Sequence, residues 1–327
     1  MYSKKFVGQG PTAPMIQLGV NGPNGLGPEW LPLKQDWKQR WCTLTGEYTD
    51  EFAKRIHDFK TRSTDVFVVS LMKTGSTWVQ ELAWLLLNKM DFQQARKSYG
   101  MERSPYLEHS GVISTTKVDS IDACDKLQSN PRLLKSHLPA QLLPRGIWKH
   151  GPKIIYVARN PKDVVVSTYH FLTGLNCSKC SLNEFVDYFI ADKIDFTSYW
   201  AHVIDFYRMR DEDNIFFVTY EEMKRDLEDV IKRLSNFLCC EVLSKSEMEE
   251  LINHLSFENM KKSKFGNHTT FMQDCHQPTN KFEFLRRGIV GSYEDELSSE
   301  SQEKINQMSL SFLNEYGISE SDIFGQI

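Results

Sequence analysis

Four short groups of residues have the types and spacing for chemistry on an anionic ligand. The sharpest is Lys73-Thr74-Gly75-Ser76-Thr77-Trp78. A lysine, a glycine and two hydroxyls at a strand-to-helix junction aim backbone N–H groups, a helix N-terminus and a cation at one point, which is a cradle for phosphate. The G-x-x-x-x-G-K-[ST] spacing of a Walker A loop is absent, because this lysine precedes the glycine. Taken alone, the same residues also fit an ordinary turn with a Ser or Thr cap. The second group is Lys135-Ser136-His137-Leu138-Pro139. In isolation its histidine reads as a structural side chain with satisfied ring nitrogens. The third, Tyr156 to Phe171, puts Arg159 at a strand end and Ser167 two turns into the next helix, both within reach of a monophosphate. The fourth, Phe284-Leu285-Arg286-Arg287-Gly288, places two cations before a glycine. That suits a loop folding over an anion, and equally a solvated basic surface.

The elements that must hold these groups follow from hydrophobic period. Val66-Phe67-Val68-Val69-Ser70 lacks polar alternation, as expected for a strand covered on both faces of a parallel sheet. Ser76 to Asn88 then predicts a helix with Trp78, Leu82, Leu85 and Leu86 on one face. The same grammar recurs at Lys153 to Ala158, followed by Pro161 at a helix start, and at Ile215 to Thr219, followed by a helical stretch from Met223 to Leu238. Further helices are expected at Tyr199 to Arg210, Ser244 to His254 and Ser298 to Asn314. Alternating strands and helices predict an α/β fold with a mostly parallel central sheet flanked by helices, and a ligand crevice at the carboxyl ends of its strands. Residues 10–40, rich in Gly and Pro, read as a meandering surface segment and a candidate substrate lid. The expected organisation is an irregular segment over residues 1–60 packed on a single domain over 61–327.

Composition removes several function classes. The chain has 327 residues, with 39 Lys+Arg against 43 Asp+Glu and a net charge of −4. That balance argues against an electrostatic grip on nucleic acid or an anionic membrane. Hydrophobic residues at 40% and charged residues at 25% mark an ordinary globular chain. The longest apolar run, Leu82 to Leu87, is far short of the roughly 20 residues a membrane helix needs. Met1 to Pro14 has no apolar core, so no secretory signal is expected, the location is read as cytoplasmic, and the 7 cysteines are read as reduced thiols. The sequons at Asn176 and Asn267 are therefore expected to stay unmodified. Cys177-Ser178-Lys179-Cys180 has zinc or redox spacing, and Cys275-His276 would complete a ligand set. Without a second CxxC, the expectation is no metal. Cys239-Cys240 reads as helical core.

The four groups, in this order, resemble the cytosolic sulfotransferases over roughly Val66 to Gly291. Lys73 to Trp78 is similar to the family's 5′-phosphosulfate loop, with Leu71 and Met72 in place of its usual Tyr-Pro. Lys135 to Pro139 resembles the Lys-Thr-His-Leu-Pro box, Tyr156 to Phe171 the 3′-phosphate strand and helix, and Phe284 to Gly291 the Arg-Lys-Gly-x-x-Gly segment. The resemblance implies 3′-phosphoadenosine 5′-phosphosulfate (PAPS) as donor, adenosine 3′,5′-bisphosphate (PAP) as product, and a hydroxyl or amine of a small lipophilic acceptor such as a phenol, steroid, retinoid or xenobiotic. It implies His137 as general base, Lys73 at the departing bridging oxygen and Lys135 at the acceptor or sulfuryl oxygens. Ser167 would lie on the 3′-phosphate and restrain Lys73 until both substrates are bound. Thr74, Gly75, Ser76 and Thr77 would hold the 5′-phosphate. Trp78 and Phe257 would pack on adenine, with Tyr220 and Ser256 beside it. Arg159, Phe284, Arg286, Arg287 and Gly288 would close the 3′ end. A sulfuryl group carries less charge than a phosphoryl group, so lysines and N–H groups can stand where a kinase needs Mg²⁺. Elimination after transfer, as in the related retinol dehydratase, stays open. The rival readings are a P-loop kinase or NTPase and a non-catalytic binder of hydrophobic ligands.

This sequence also departs from the family. Leu255 stands where many relatives have a Thr beside the adenine. At Gly291 to Glu303, Glu294 and Ser299 replace a Lys and a Val of the usual dimer contact, so a monomer or a different dimer is expected. The aromatics Phe92, Tyr99, Tyr106, Tyr169, Phe171, Phe271 and Phe282 are candidates for core or acceptor pocket, with those in 92–106 and 271–282 favoured for the pocket.

Overall fold

The computed structural model describes residues 2–20, 22, 28, 30–32, 37–113, 118–275, 278–279 and 282–325, the side chains of residues 274 and 275 excepted. Four parallel strands lie in the order β5-β4-β6-β7: β4 is Val66–Ser70, β5 Leu133–Ser136, β6 Lys153–Ala158 and β7 Ile215–Thr219. The missing polar alternation has a direct cause. Phe67, Val69, Leu134, Ile154 and Tyr156 enter one core, while Val66, Val68, Leu133, Ile155 and Val157 enter another on the opposite face. Successive side chains of a strand alternate faces, so both sets must be apolar when both faces are covered.

Helices supply that cover. On one side lie α1 (Ser76–Leu87) and α4 (Leu227–Leu238), whose Leu82, Leu85, Ile231 and Leu234 are at most 1% exposed. On the other lie α2 (Pro161–Gly174), α3 (Tyr199–Arg208) and α5 (Ser299–Leu313). The predicted strands at 66–70, 153–158 and 215–219 stand as read. The helix expected from Met223 divides, because Asp226 leaves helical geometry and its side chain caps α4 through the Asp229 N–H.

The N-terminal segment differs from its expectation. Residues 1–60 carry an antiparallel sheet of β1 (Tyr2–Gln9), β2 (Pro14–Val20) and β3 (Trp41–Thr45), then a helix at Asp50–His57. Gly and Pro punctuate this stretch, but Ile16, Leu18, Val20, Cys42 and Leu44 all enter the core that covers the main sheet. Tertiary burial outweighs the local turn signal. Within the expected lid, Thr12 and Ala13 reach the cavity described below. Residues 21, 23–27, 29 and 33–36 lie outside the described residues.

Strand order places the site. The chain runs from β4 outward to β5, then returns to β6 on the other side of β4, so a crevice opens at the carboxyl ends of these strands. Val69 lies opposite both Ser136 and Tyr156, and Ala158 lies opposite Thr219. The residues that follow, Lys73, His137, Arg159 and Tyr220, therefore emerge at one level. No helix among the described residues is long and apolar enough to cross a membrane.

Candidate active site

A cavity of about 610 Å³ opens at this level. Its wall includes Lys73, Gly75, Ser76, Thr77, Trp78, Lys135, His137, Arg159, Ser167, Tyr220, Phe257, Phe284, Arg286, Arg287 and Gly288. Segments more than two hundred residues apart, from Lys73 to Gly288, thus meet in one place. Two expected site residues do not line it. Thr74 donates its hydroxyl to the Leu71 carbonyl at 3.0 Å and is fully buried, closing the turn from behind. Ser256 caps the short helix Phe257–Lys262 by accepting from the Asn259 N–H.

The Lys73 turn is shaped by backbone. Lys73 has φ 65 and Gly75 φ 102, and a Cβ at Gly75 would come within 2.8 Å of Tyr220 Cδ2. No side chain caps the N-terminus of α1, so its first N–H groups are open to an anion. Lys73 Nζ donates to the Phe284 carbonyl at 3.3 Å and lies 4.5 Å and 4.3 Å from the ring centres of Phe171 and Phe284. Burial, with the nearby charges of Lys135, Arg159 and Arg286, lowers its pKa to about 7. Burial lowers Lys135 to about 8, against a partial opposing pull from Glu108.

His137 is held by neighbours on several sides. Its Nδ1 lies 2.6 Å from the Ser70 carbonyl, so Nδ1 carries the proton and Nε2 keeps its lone pair. The backbone N–H of His137 donates to Glu108 Oε1, while Ser136 Oγ donates to Glu108 Oε2 at 2.9 Å. His202 Nε2 donates to the His137 carbonyl at 3.0 Å, an arrangement fixed because its Nδ1 accepts from Tyr156 Oη at 2.7 Å. Burial, reinforced by Lys135, holds the His137 imidazole well below its usual pKa, and hence neutral. Burial also pushes Glu108 up to about 7. Sequence reading missed Glu108: it serves a strand end far along the chain and belongs to no local pattern.

A further part of the wall is built on α2. Arg159 donates to the carbonyls of Lys73 at 3.3 Å and Ile289 at 3.1 Å, and its backbone carbonyl accepts from Tyr199 Oη. Asp163, fully buried one turn on, accepts from the Gly291 N–H, Ser292 Oγ and the Tyr293 N–H at 2.9, 3.0 and 3.2 Å. It therefore fastens the loop carrying Arg286 to Gly288 against α2. A Cβ at Gly288 would fall 2.1 Å from Phe257 Cδ2, so only glycine allows that loop to rest on the ring. Arg286 pairs with Glu296 at 2.6 Å and Arg287 with Asp295 at 2.5 Å.

Of the candidate pocket aromatics, Tyr106 and Phe171 line the cavity, whereas Phe92 enters the core with α1. Tyr99, Tyr169, Phe271 and Phe282 are not among its lining residues: Phe282 packs on Phe171, Tyr99 on Phe271 and Tyr169 on Phe185. The apolar lining comes from Met72, Met101, Val112, Leu172, Leu175 and Phe196. Leu255, the departure noted above, lines the cavity and is fully buried. Cys239 and Cys240 are not helical core. Cys239 is an exposed left-handed residue ending α4, and Cys240 is half-buried. Cys177 lines the cavity, and His276 of the weighed metal set lies outside the described residues. Among the described residues no three His, Cys, Asp or Glu side chains gather as a metal-holding group.

Residues 63–317 match the sulfotransferase domain family. The chain belongs to the sulfotransferase family. Among curated relatives, luciferin sulfotransferase of Photinus pyralis is 35% identical over 272 residues, covering 76% of this chain and 72% of its own. Sulfotransferase 1B1 of Mus musculus is 31% identical over 249 residues, covering 74% and 80%. A crystal structure of retinol dehydratase in complex with androsterone and the inactive cofactor PAP shares the fold, with TM-score 0.83 at 22% identity over 98% of each chain. Family membership settles the reaction class in favour of sulfotransfer over the kinase reading.

Proposed function

We propose that this sulfotransferase uses PAPS as donor and the hydroxyl of a small lipophilic molecule as acceptor. The observation that carries the reading is one cavity lined by a phosphate-type turn bearing Lys73, by Arg159 and the Phe284–Arg287 loop in contact with that turn, and by a neutral imidazole with a free Nε2. The residues fit such a ligand. Arg159 Nε and Trp78 Nε1 are buried donors without partners. Burial first, and then the charges of Lys135, Arg159 and Arg286, depress Lys73, a cost that a multiply charged anion relieves.

When bound, PAPS supplies an activated sulfuryl group. His137 Nε2 takes the proton of the acceptor hydroxyl, and its Nδ1–H bond to Ser70 keeps the ring in the basic tautomer. Lys73 and the open N–H groups of α1 stabilise the charge that grows toward the phosphate turn. Lys135 faces the sulfuryl oxygens, while Arg159, Ser167, Arg286 and Arg287 hold the 3′-phosphate. Trp78, Phe257 and Tyr220 enclose the base. Incubation with sulfur-labelled PAPS and a panel of phenols, steroids, retinoids and catecholamines tests this reading. Labelled ester with at least one acceptor is expected; donor consumption or binding with no transfer to any acceptor contradicts it.

A further inference from the structure

Within the cavity wall sits a carboxyl with nothing to balance it. Asp195 belongs to a segment stitched to β3: the Phe196 N–H donates to the Thr43 carbonyl and the Thr43 N–H to the Thr197 carbonyl, both at 2.7 Å. The Thr45 N–H donates to the Asp195 carboxyl itself. Its Oδ1, however, is buried and has no hydrogen-bond partner. The groups close enough to feel its charge include Cys42, Tyr106 and Cys177, none of them cationic. No cationic side chain is among the groups that act on Asp195. Burial alone raises this carboxyl to about 7. Glu47, exposed at the rim, adds a second negative charge to the same cavity.

A buried carboxyl oxygen without a donor is a cost to the folded chain, and such groups persist where a ligand supplies the missing partner. Tyr106 and Phe196, the latter next to Asp195 in the chain, also line the cavity, their rings 5.1 and 5.5 Å from the His137 ring. The cavity thus carries cationic, apolar and anionic lining together. With two acids in the wall and no cation acting on Asp195, the potential beside it favours a positive group over a neutral hydroxyl. We propose that Asp195 is an acceptor-recognition residue, pairing through Oδ1 with a protonated amine carried on the apolar body of the acceptor away from its reacting hydroxyl. This rests on the sulfuryl-transfer reading and narrows its acceptor class to amphipathic amines.

The test uses 4-(ω-aminoalkyl)phenols of increasing spacer length, each beside the 4-alkylphenol and 4-(ω-hydroxyalkyl)phenol of matching length. All are titrated calorimetrically onto the full chain with and without PAP. The PAP titration itself reports on the donor reading, so a failure there is visible separately from a failure of amine recognition. At one spacer length the amine is expected to bind at least ~10-fold tighter than both neutral partners, as for a charge-assisted pair. Asp195→Asn brings that ratio close to one while the heat of PAP binding and the melting temperature hold. If the amide variant fails to fold, Asp195→Ser serves for the same ratio. The proposal is overturned if no amine leads its partners in the wild-type chain, if the hydroxyalkyl series binds equally well, or if the variant keeps the wild-type ratio. A variant that weakens all three series equally with a lowered melting temperature overturns it too, because the role is then structural.

Discussion

At the residue scale the chemistry depends on two departures from ordinary titration. His137 is neutral because burial and Lys135 oppose its protonation, and its tautomer is set by one short bond to Ser70. On the proposed reading, replacing it by alanine removes the proton acceptor without touching a phosphate contact. Turnover of His137→Ala is expected to fall by about 10² to about 10⁴-fold, with PAP affinity nearly unchanged in calorimetry. Wild-type turnover with any acceptor would remove the assignment. The lysines give a second expectation. Lys73 at about 7 and Lys135 at about 8 lose protons as pH rises through these values in the empty cavity. An entering anion favours their charged forms, so binding takes up protons and affinity falls with rising pH. Titrations near pH 8 in buffers of different ionisation heat should report proton uptake; release of protons would reverse the sign and refute the account.

At the element scale, the site is an agreement among strand ends, one helix N-terminus and one docked loop. Asp163 is the fastening: four residues after Arg159 on α2, it holds Gly291, Ser292 and Tyr293 and so places Arg286 to Gly288. In Asp163→Asn one face of the side chain becomes a donor facing donors. The loss is expected to be about 1–3 kcal/mol in stability, together with weaker PAP binding and faster amide exchange across 286–293. Unchanged exchange in that loop would show that another contact holds it. The same loop bears on assembly. Asp295 and Glu296 are spent on Arg287 and Arg286 within the chain, and Glu294 and Ser299 are exposed, and we propose on that ground that this stretch does not form the dimer contact expected from the family resemblance.

At the scale of the whole molecule, legibility followed how local each signal was. Strands β4, β6 and β7 are runs of five or six residues of which most are apolar, long enough to read. By contrast, β5 contributes only Leu133 and Leu134 to the core, and the N-terminal sheet is hidden among glycines and prolines. Lys73, His137, Arg159 and Arg286 stand in contiguous motifs, and the sequence brings them to notice before any fold is known. Glu108, Asp163 and Asp195 do not, because each works on backbone or cavity groups distant in sequence and carries no pattern of its own. Thr74 and Ser256 mark the converse: both stand in recognisable motifs, yet their hydroxyls are committed to a turn and a helix cap.

The central claim is that one crevice holds a nucleotide by both its 5′ and 3′ phosphates, and the most direct measurement is titration of the chain with PAP and with 5′-AMP under identical conditions. The account predicts that PAP binds at least ~100-fold tighter, as expected for several charge-assisted bonds, and that Arg159→Ala removes most of that advantage while changing 5′-AMP binding far less. Equal affinities for the two nucleotides, or no heat with PAP, would contradict it.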